Sequence, residues 1–591
     1  KYPKPLPSFA MMQDYKASRR PFSAIAAFRQ YVEKILAIPG MKALLVDKDT
    51  MKMVSLVVSQ TQIISKQVFI VEPIDSKAKS SKAPMNHLKA VCLVRPTSRT
   101  LSSLESALKK PKFKEYHIFF TNFVGEKSLK AVAQADEYEL VKQVQEYYAD
   151  FYAVNEDLWH CNLNRTRPLY SRRSNWTEAD QGILRRNVQG ILSMLLSAKK
   201  RPLIRYQKAS ALAKAMAIEV VSSMKEENAV FDFRDSQQPT LLILDRREDP
   251  ITPLLMQWTY QAMVHELLTI TNNRVDMHDV PDVKDDMKQV VMSITQDEFF
   301  AKTFTHNFGD LGKSIKDLVN TYKKKKGSQN ITTIQDMQRF VEQYPELKTF
   351  QGNVSKHVAV MVELNRRVKE EKLMAVSEVE QNLACDNEHG KAIEEVMRIL
   401  DDSTVSFQRK VCIAALYHLR YENQRNEMST IRSILKDRAK DSSQRRLLRF
   451  CDEIIKYAGA KIRGGELFRS GGFLSMVKNV FGGLNEIENV YTRYKPLLAT
   501  VLDSLLKGKL GLHDYPFMDT VGQRKDVDQV FVYIIGGTTY SEAALVTGLN
   551  KSMGGRIMLG GSCMHNSASF INDVMGFSEQ SDLEIDIKAE G

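Results

Sequence analysis

The sequence predicts two α/β segments separated by a large helical block. Up to about residue 249, short apolar runs of strand type alternate with helix-like segments, which is typical of a parallel sheet with crossover helices. From residue 250 to about 483, apolar residues recur at helical spacing. Strand-type runs return after residue 530, so we expect the second α/β segment to complete a sheet that the helical block interrupts.

The first α/β domain is expected over residues 22–149. Residues 1–21 contain four prolines and several basic side chains, a composition that disfavours regular structure, and we treat them as an extension. Apolar residues at helical spacing then predict a helix that Pro39 and Gly40 end. The strands predicted after this helix are 43–46, 68–71, 90–94, 117–120 and a weaker 140–147.

The second α/β domain is expected over residues 150–249 and 487–591, with the helical domain, residues 250–486, inserted between the two parts. The elements predicted in its first part are helices 181–196 and 209–221 and a strand at 241–244. Its second part has predicted strands at 531–535 and 556–559 with a helix from 541 between them. In the helical block the clearest segments are 311–322, 334–344, 354–368, 391–400 and 411–421.

The composition indicates a folded protein with a positive net charge. The formal charge is +13, which makes acidic proteins, anionic membranes and nucleic acid candidate partners. No base-stacking aromatic motif accompanies the lysine run 323–326, so no nucleic-acid binding is expected. The six cysteines occur singly, which indicates free thiols in a reducing compartment. The apolar stretch 530–546 is broken by Gly536, Gly537 and Glu542, so it is not expected to cross a bilayer.

Patterns for catalysis and metal binding are incomplete. Gly312-Lys313-Ser314 resembles the end of a Walker A loop, but the first glycine of that loop is missing. His265-Glu266 lacks the second histidine of a zinc-binding helix, and Cys563 with His565 lacks further ligands. We therefore expect no catalytic residue, no metal and no cofactor.

Two segments after strands keep a functional alternative open. The charged run from Asp245 to Asp249 indicates a buried structural ion network and a helix N-cap, with Pro250 near the start of the next helix. Gly536-Gly537 follows a strand and opens a helix, a geometry that can hold an anion. A tight turn is the commoner use of paired glycines, but a nucleotide-binding α/β enzyme that uses this turn is the alternative function.

The segment around this charged run resembles the signature of the SM family, whose members bind syntaxin-type SNAREs. The matching segments run in order through nearly the whole chain: 45–47, 51–53, 88–91, 95–97, 119–122, 242–255, 259–263, 377–381, 494–498 and 531–537. The resemblance implies an arch of three domains, which are a Rossmann-like parallel-sheet N-terminal domain that binds syntaxin, a second α/β domain, and a mainly helical domain. It also implies a protein that is not an enzyme and needs no cofactor.

Within the family, residues 257–268 and 272–276 are most similar to the branch of the trans-Golgi and endosomal route. This similarity implies a protein that binds a syntaxin-family Qa-SNARE of those membranes. The protein would chaperone or template SNARE complex assembly with the other SNAREs before vesicle docking and membrane fusion. It implies a cytoplasmic protein, peripherally associated with Golgi and endosomal membranes through its SNARE partners.

The family resemblance places a syntaxin-binding cleft on the first domain. Its residues are Asp47, Met51, Lys52 and Glu72, just after the first strand and at the end of the second. The plainer interpretation is that these are ordinary exposed loop charges. Ser59 stands where some relatives have a basic residue, so part of the expected charge pairing is missing.

A second surface is expected on the outer face of the first domain, where a short N-terminal peptide of the syntaxin would dock. An apolar groove for such a peptide would be lined by Leu129, Val132, Ala133 and Val144, with Glu146 at its edge. The alternative is that Leu129 and Val132 are core positions of an amphipathic helix.

The third surface is a movable hairpin at the tip of the helical block, residues 328–366, that would receive a second SNARE. Pro345 lies between two helical segments, and a continuous helix through a proline costs roughly 3 kcal/mol. A cost of that size can set a balance between a bent and an extended hairpin. Phe350, Val354 and Val358 are the expected apolar contacts, and a static helix–loop–helix is the alternative.

Overall fold

The computed structural model describes residues 22–75, 84–233, 238–324, 348–464, 467–468, 490–518 and 529–576. Within these ranges no helix combines the length and the apolar character that crossing a bilayer requires. All six cysteines lie in the described part of the chain and are free thiols.

Five parallel strands form the first sheet, in the order β2-β1-β3-β4-β5. The strands are β1 (Lys42–Val46), β2 (Val68–Pro73), β3 (Met85–Val94), β4 (Phe113–Phe120) and β5 (Val141–Glu146). The helices are α1 (Ala24–Leu36), α2 (Lys48–Val57), α3 (Gln60–Ser65), α4 (Ser98–Lys109) and α5 (Glu126–Ala135). Leu44 and Val46 pack against α1 and α2, while Ala43 and Leu45 pack against α4 and α5, so helices cover both faces of the sheet.

The chain then begins a second sheet and leaves it for the helical block. The elements before the block are β6 (Tyr152–Asn155), β7 (Leu158–His160), α6 (Glu178–Ser197), β8 (Leu203–Tyr206), α7 (Ala211–Glu226) and β9 (Thr240–Asp245). The block opens with α8 (Tyr260–Leu268) and a small three-stranded antiparallel sheet of β10 (Ile270–Thr271), β11 (Arg274–Asp276) and β12 (Gln289–Val291).

The rest of the described block is helical. Its helices are α9 (Glu298–Thr303), α10 (Phe308–Lys324), α11 (Lys348–Glu370), α12 (Leu373–Cys385), α13 (His389–Asp401), α14 (Phe407–Arg420), α15 (Arg425–Arg438), α16 (Ser442–Leu447) and α17 (Phe450–Ala458). Val376, Val411 and Ile454, from α12, α14 and α17, are all fully enclosed in one apolar core. The predicted segment 334–344 lies outside the described residues.

The chain returns to the second sheet after the block. The returning elements are α18 (Leu497–Leu506), β13 (Val530–Ile535), β14 (Thr538–Thr539), α19 (Tyr540–Met553), β15 (Ile557–Gly561), β16 (Met564–His565) and α20 (Ser567–Met575). The six-stranded order is β6-β7-β15-β13-β9-β8, and β13 pairs in parallel with both β9 and β15. Strands from both sides of the helical block therefore share one sheet, and the predicted mixed fold class is confirmed.

A buried ion pair joins the two parts of this sheet. Arg246, directly after β9, donates from Nη2 to both carboxylate oxygens of Glu542 on α19, at 2.7 and 2.6 Å, and from Nε to the carbonyl oxygen of Gly537 at 3.0 Å. Both side chains are almost fully enclosed. Burial disfavours the charged guanidinium, but the Glu542 carboxylate outweighs this and raises the pKa of Arg246. The buried ion network predicted for 245–249 is therefore present.

The helix start expected near Pro250 is wrong, because residues 250–259 form an irregular turn and α8 begins only at Tyr260. Side chains of α12 hold this turn: Glu380 accepts from the amide of Met256 at 2.6 Å, and the Ser377 hydroxyl accepts from the Trp258 indole at 2.8 Å. Bonds from a distant helix satisfy backbone groups that a local helix would otherwise satisfy.

The mainly helical block also contains strands that the sequence did not predict, three short ones between residues 270 and 291. Asn272 and Asn273 both have positive φ values, 51° and 58°, and form the two-residue turn between β10 and β11. Asparagine tolerates this left-handed conformation, which two-residue hairpin turns require. Strands of two or three residues carry too little periodicity to predict.

The Arg246–Glu542 pair should dominate the stability of the second sheet. We expect Glu542→Ala to lower the free energy of unfolding by about 3–5 kcal/mol, because it leaves a buried guanidinium without its counter-charge. The control is the double variant Arg246→Met/Glu542→Leu, which removes both charges and should lose much less. Urea denaturation followed by tryptophan fluorescence measures both values. A loss below about 1 kcal/mol for Glu542→Ala would show that the pair does not hold the sheet together.

Candidate binding surfaces

The four predicted cleft residues lie together at the carboxyl ends of β1 and β2. Asp47 follows β1 directly, Met51 and Lys52 lie on α2, and Glu72 on β2 is opposite Leu45 of β1. Met51, Lys52 and Glu72 are half-buried, so part of each side chain is accessible. The arrangement offers one basic, one acidic and one apolar side chain at a single edge of the first sheet.

Asp47 is not the exposed loop charge that the plainer interpretation expected. Its carboxylate is buried and accepts from the amides of Asp49 and Thr50, both at 2.9 Å, which caps α2. Its second oxygen accepts from the amide of Arg95 at 2.6 Å. Burial raises the pKa of Asp47, although these amide bonds oppose the rise. Asp47 therefore positions α2 beneath the cleft, and Lys52 and Glu72 are its accessible charges.

Sequence reasoning missed an ion network that fixes the cleft to the second sheet. Arg95 donates to Asp49 on α2 at 2.7 Å and to Asp150 at 2.9 Å. Arg186 on α6 contacts the same oxygen of Asp150 at 3.2 Å, and the Tyr152 hydroxyl on β6 donates to Asp49 at 2.9 Å. In the sequence, only the family resemblance of the Arg95-Pro96-Thr97 segment marked any part of this network. The network joins residues from four separate parts of the chain.

The predicted peptide groove lies along the outer edge of the first sheet. Val144 on the edge strand β5 is opposite Ile118, whose side chain lies on the face covered by α4 and α5. Val144 is therefore on the same face as α5, yet 46% exposed, and Leu129 on α5 is 36% exposed. Ala133, one turn after Leu129, is exposed as well. These three residues form an accessible apolar strip.

The remaining groove residues have structural contacts. Val132 is buried in the core between the sheet and α5, as the alternative interpretation expected for it. The Glu146 carboxylate accepts from the Val124 amide at 2.8 Å and from the Tyr148 hydroxyl at 2.9 Å, so it braces the end of β5. Tyr138, which sequence reasoning missed, is 60% exposed between α5 and β5. Tyr138 lies in the loop after α5, outside any periodic apolar segment, so no sequence pattern indicated that it would be near the groove.

Only part of the predicted hairpin can be located. Pro345 lies outside the described residues, and Phe350 is on α11, but only the backbone of that turn is described. Val354 and Val358 are buried in the same core as Tyr260 and Phe300. In this conformation neither valine is available to another protein.

A buried polar chain fixes α11 at this point. Tyr260 and His357 Nδ1 are 2.7 Å apart, and His357 Nε2 is 2.7 Å from Asp297 Oδ2. Lys356 forms an ion pair with the same carboxylate at 2.5 Å. Burial lowers the pKa of His357, and in the neutral ring one nitrogen donates while the other accepts. Residues 354–366 of the predicted movable tip are therefore held against the body of the protein.

The Gly536-Gly537 turn is filled by the protein itself. Both glycines have positive φ, 86° and 93°, and a Cβ on Gly537 would lie 2.5 Å from His565 Cδ2. The amide of Gly536 donates to Ser562 Oγ at 3.2 Å, and the amide of Gly537 to the carbonyl of Ile534 at 3.3 Å. No amide of the two glycines is left for a phosphate, so the turn is a tight strand-to-helix connection.

A neighbouring cavity is also unsuited to a nucleotide. Its volume is only about 20 Å³, and it lies at the carboxyl ends of β9 and β13. The charged lining residues are Asp245, Arg246, Glu248, Asp249 and Glu542. Four carboxyl groups repel phosphate, and the single arginine is already paired with Glu542. The structure thus speaks against the nucleotide-binding alternative.

The chain is similar to known proteins over most of its length. The sequence profile of the Sec1 family matches residues 42–573. Vacuolar protein sorting-associated protein 45 of Dictyostelium discoideum is 41% identical over 567 residues, which cover 94% of this chain and 97% of that protein. The human protein of the same name is 40% identical over 559 residues, 94% of this chain and 96% of its own length.

Solved structures agree with the sequence comparison. The SM protein Vps45 in complex with the Qa SNARE Tlg2 is similar with a TM-score of 0.83 and 40% identity, and the match covers 94% of this chain and 99% of that one. The Unc18–syntaxin 1 complex from Monosiga brevicollis has a TM-score of 0.77 at 19% identity, covering 94% of this chain and 100% of that one, which shows a shared fold.

Loss of the buried histidine should loosen the base of α11. We expect His357→Ala to lower the free energy of unfolding by about 3 kcal/mol, because it removes two buried hydrogen bonds and leaves Asp297 Oδ2 with Lys356 alone. His513→Ala is the control, since His513 is exposed and should change stability by less than about 0.5 kcal/mol. Equal urea midpoints for the two variants would contradict the anchoring role.

Nucleotides should not stabilise the protein. A ligand that binds only the native state raises the thermal midpoint, so ATP and GTP with Mg²⁺ at millimolar concentration should leave it unchanged. The measurement is differential scanning fluorimetry with and without nucleotide. A reproducible rise that Gly537→Ala abolishes would restore the nucleotide-binding alternative.

Proposed function

The chain belongs to the Sec1 family, and from that membership we propose that it binds a Qa-SNARE of the trans-Golgi network or endosome and guides its assembly with partner SNAREs. The observation that carries this proposal is the similarity, over 94% of the chain, to an SM protein solved in complex with a Qa SNARE. Relatives named for vacuolar protein sorting support the choice of this route.

The half-buried side chains at the ends of β1 and β2 suit a helical partner. A SNARE bundle presents charged residues around apolar ridges, and Lys52, Glu72 and Met51 offer complementary chemistry at one edge. Because Asp47 and the Arg95 network hold this edge rigidly against the second sheet, a bound helix would meet a preformed surface. Preformed surfaces lose less conformational entropy on binding.

The apolar strip of Leu129, Ala133 and Val144 suits a short peptide rather than a folded domain. It includes the edge strand β5, and the exposed Tyr138, in the loop between α5 and β5, could cover an apolar anchor. We assign it to an N-terminal peptide of the Qa-SNARE. Two separate contacts on one partner would raise the overall affinity above either alone.

Guidance of SNARE assembly is proposed for the hairpin tip of the helical block. The tip retains the predicted limits 328–366, but any movement would be confined to residues before Val354, since Lys356 and His357 hold the following turns. In this proposal the protein acts by binding and not by catalysis. Its attachment to Golgi and endosomal membranes runs through its SNARE partner.

Charge reversal at the cleft tests the first contact. We expect Lys52→Glu to raise the Kd for the cytosolic part of the Qa-SNARE about fivefold, the effect of a partly exposed charge contact. The control is Lys109→Glu, because Lys109 is exposed on α4, on the opposite face of the same sheet. Isothermal titration calorimetry measures both, and equal Kd values would remove Lys52 from the interface.

A charged side chain in the groove tests the second contact. Leu129→Arg should weaken binding of an isolated N-terminal Qa-SNARE peptide at least about tenfold, because the anchor would meet a guanidinium in place of an apolar wall. Ile218→Arg is the matched control, since Ile218 is 42% exposed on α7, away from this sheet. Undiminished peptide binding by a folded Leu129→Arg protein would refute the groove assignment.

A further inference from the structure

Lys410, on the first turns of α14, is a buried lysine with no partner among the residues that the structure describes. The residue is only 5% exposed, and within the described ranges its ammonium group makes no hydrogen bond or ion pair. Nζ is not among the fully enclosed polar atoms, so the aliphatic stem is buried while the tip reaches the surface. The ammonium group in this recess, without a partner in the described chain, is therefore open to a ligand from outside the chain.

The nearby charges leave this recess positive. Arg438, the last residue of α15, pairs with Asp401 at 2.7 Å, and Lys372 pairs with Asp402 at 2.7 Å. The two carboxylates are therefore already matched, and Lys410 and Lys440 add two uncompensated charges. Burial lowers the pKa of Lys410, and Arg438 and Lys440 lower it further, against the opposing effect of the two aspartates.

Lys410 also lies near the start of α14, where the N-cap side chain accepts no hydrogen bond from the first amides of the helix. Ser406 precedes α14, a helix of 14 residues, and its hydroxyl makes no capping hydrogen bond. The first amides of a helix point out along its axis and carry the positive end of its dipole. Lys410 lies one turn after Ser406, to whose carbonyl its amide donates at 3.2 Å, so its side chain begins within one turn of these amides.

We propose that Lys410, Lys440 and the first turn of α14 bind a phosphate monoester, presented by a phosphoinositide headgroup in a membrane. Three donors of different origin, two ammonium groups and helix amides, match the several acceptor oxygens of a phosphate. A carboxylate has fewer acceptor oxygens and would bind fewer of these donors.

The surrounding surface favours a membrane as the source of that phosphate. Residues 425–449 contain eight basic and three acidic residues, a net charge of +5. The basic residues that are exposed without an ion-pair partner in the described chain are Arg425, Lys436, Lys440, Arg445, Arg446 and Arg449. They lie on or next to α15 and α16, which both pack against α14. A broad basic face attracts an anionic bilayer over a larger area than one soluble phosphate would need.

This contact would add a direct attachment to the one through SNAREs. It also predicts opposite effects of one substitution on stability and on binding. Lys410→Met removes a desolvated charge and keeps the buried stem, so the variant should unfold at a higher temperature than the wild type. A purely structural lysine would instead give a lower midpoint.

The test uses vesicles of phosphatidylcholine, of phosphatidylcholine with phosphatidylserine, and of phosphatidylcholine with a phosphatidylinositol phosphate. The full-length protein should float with the phosphoinositide vesicles, and Lys410→Met should bind them about tenfold more weakly, as expected for one lost charge-assisted contact. Lys214→Met is the control, because Lys214 is an exposed lysine on α7. Binding of the Qa-SNARE should be equal in all three proteins.

Each other outcome would overturn the proposal. Equal flotation of wild type and Lys410→Met would remove Lys410 from the site. Equal binding to phosphatidylserine and phosphoinositide vesicles at matched charge would indicate general attraction without a phosphate site. Stabilisation by inorganic phosphate or by a phosphoserine peptide, without any flotation, would assign the recess to a soluble ligand or a phosphoprotein.

Discussion

The structure depends on one buried ion pair, Arg246 with Glu542. The two residues are separated in sequence by the whole helical block, yet they lie side by side where β9 and β13 end. A long insertion adds little to the entropy of loop closure, but its ends must still be held together. The ion pair, with the bond from Arg246 to the Gly537 carbonyl, does this at the point where the block leaves the sheet.

The same cluster also positions the start of the helical block. Asp249 accepts from the Thr252 amide and from the Tyr494 hydroxyl, both at 3.0 Å, and from the Leu497 amide at 3.0 Å. Segments that enter and leave the block are thus bonded to one carboxylate. The charged run after β9 is therefore a structural junction, where four carboxyl groups and an arginine also line a small cavity.

Buried charge also connects the two sheets. Arg95, Asp49, Asp150 and Arg186 form a network between the first sheet and α6, and its residues lie directly beneath the cleft edge. The proposed cleft is therefore part of a preorganised scaffold. By contrast, Lys410 has a buried stem and an ammonium group without a partner in the described chain, and this difference from the paired arginines is the basis for proposing an external anion there.

The sequence by itself determined the fold class, the strands of the first sheet and the return of the chain to the second sheet, because apolar periodicity and turn residues are local signals. Family resemblance located the candidate surfaces. Only the tertiary structure decided that Asp47 is a buried cap, that Val354 and Val358 face the core, and that the amides of Gly536 and Gly537 are already bonded. The reason is physical: burial and hydrogen-bond partners come from residues such as Arg95, His357 and Ser562, which are close in space but distant in the chain.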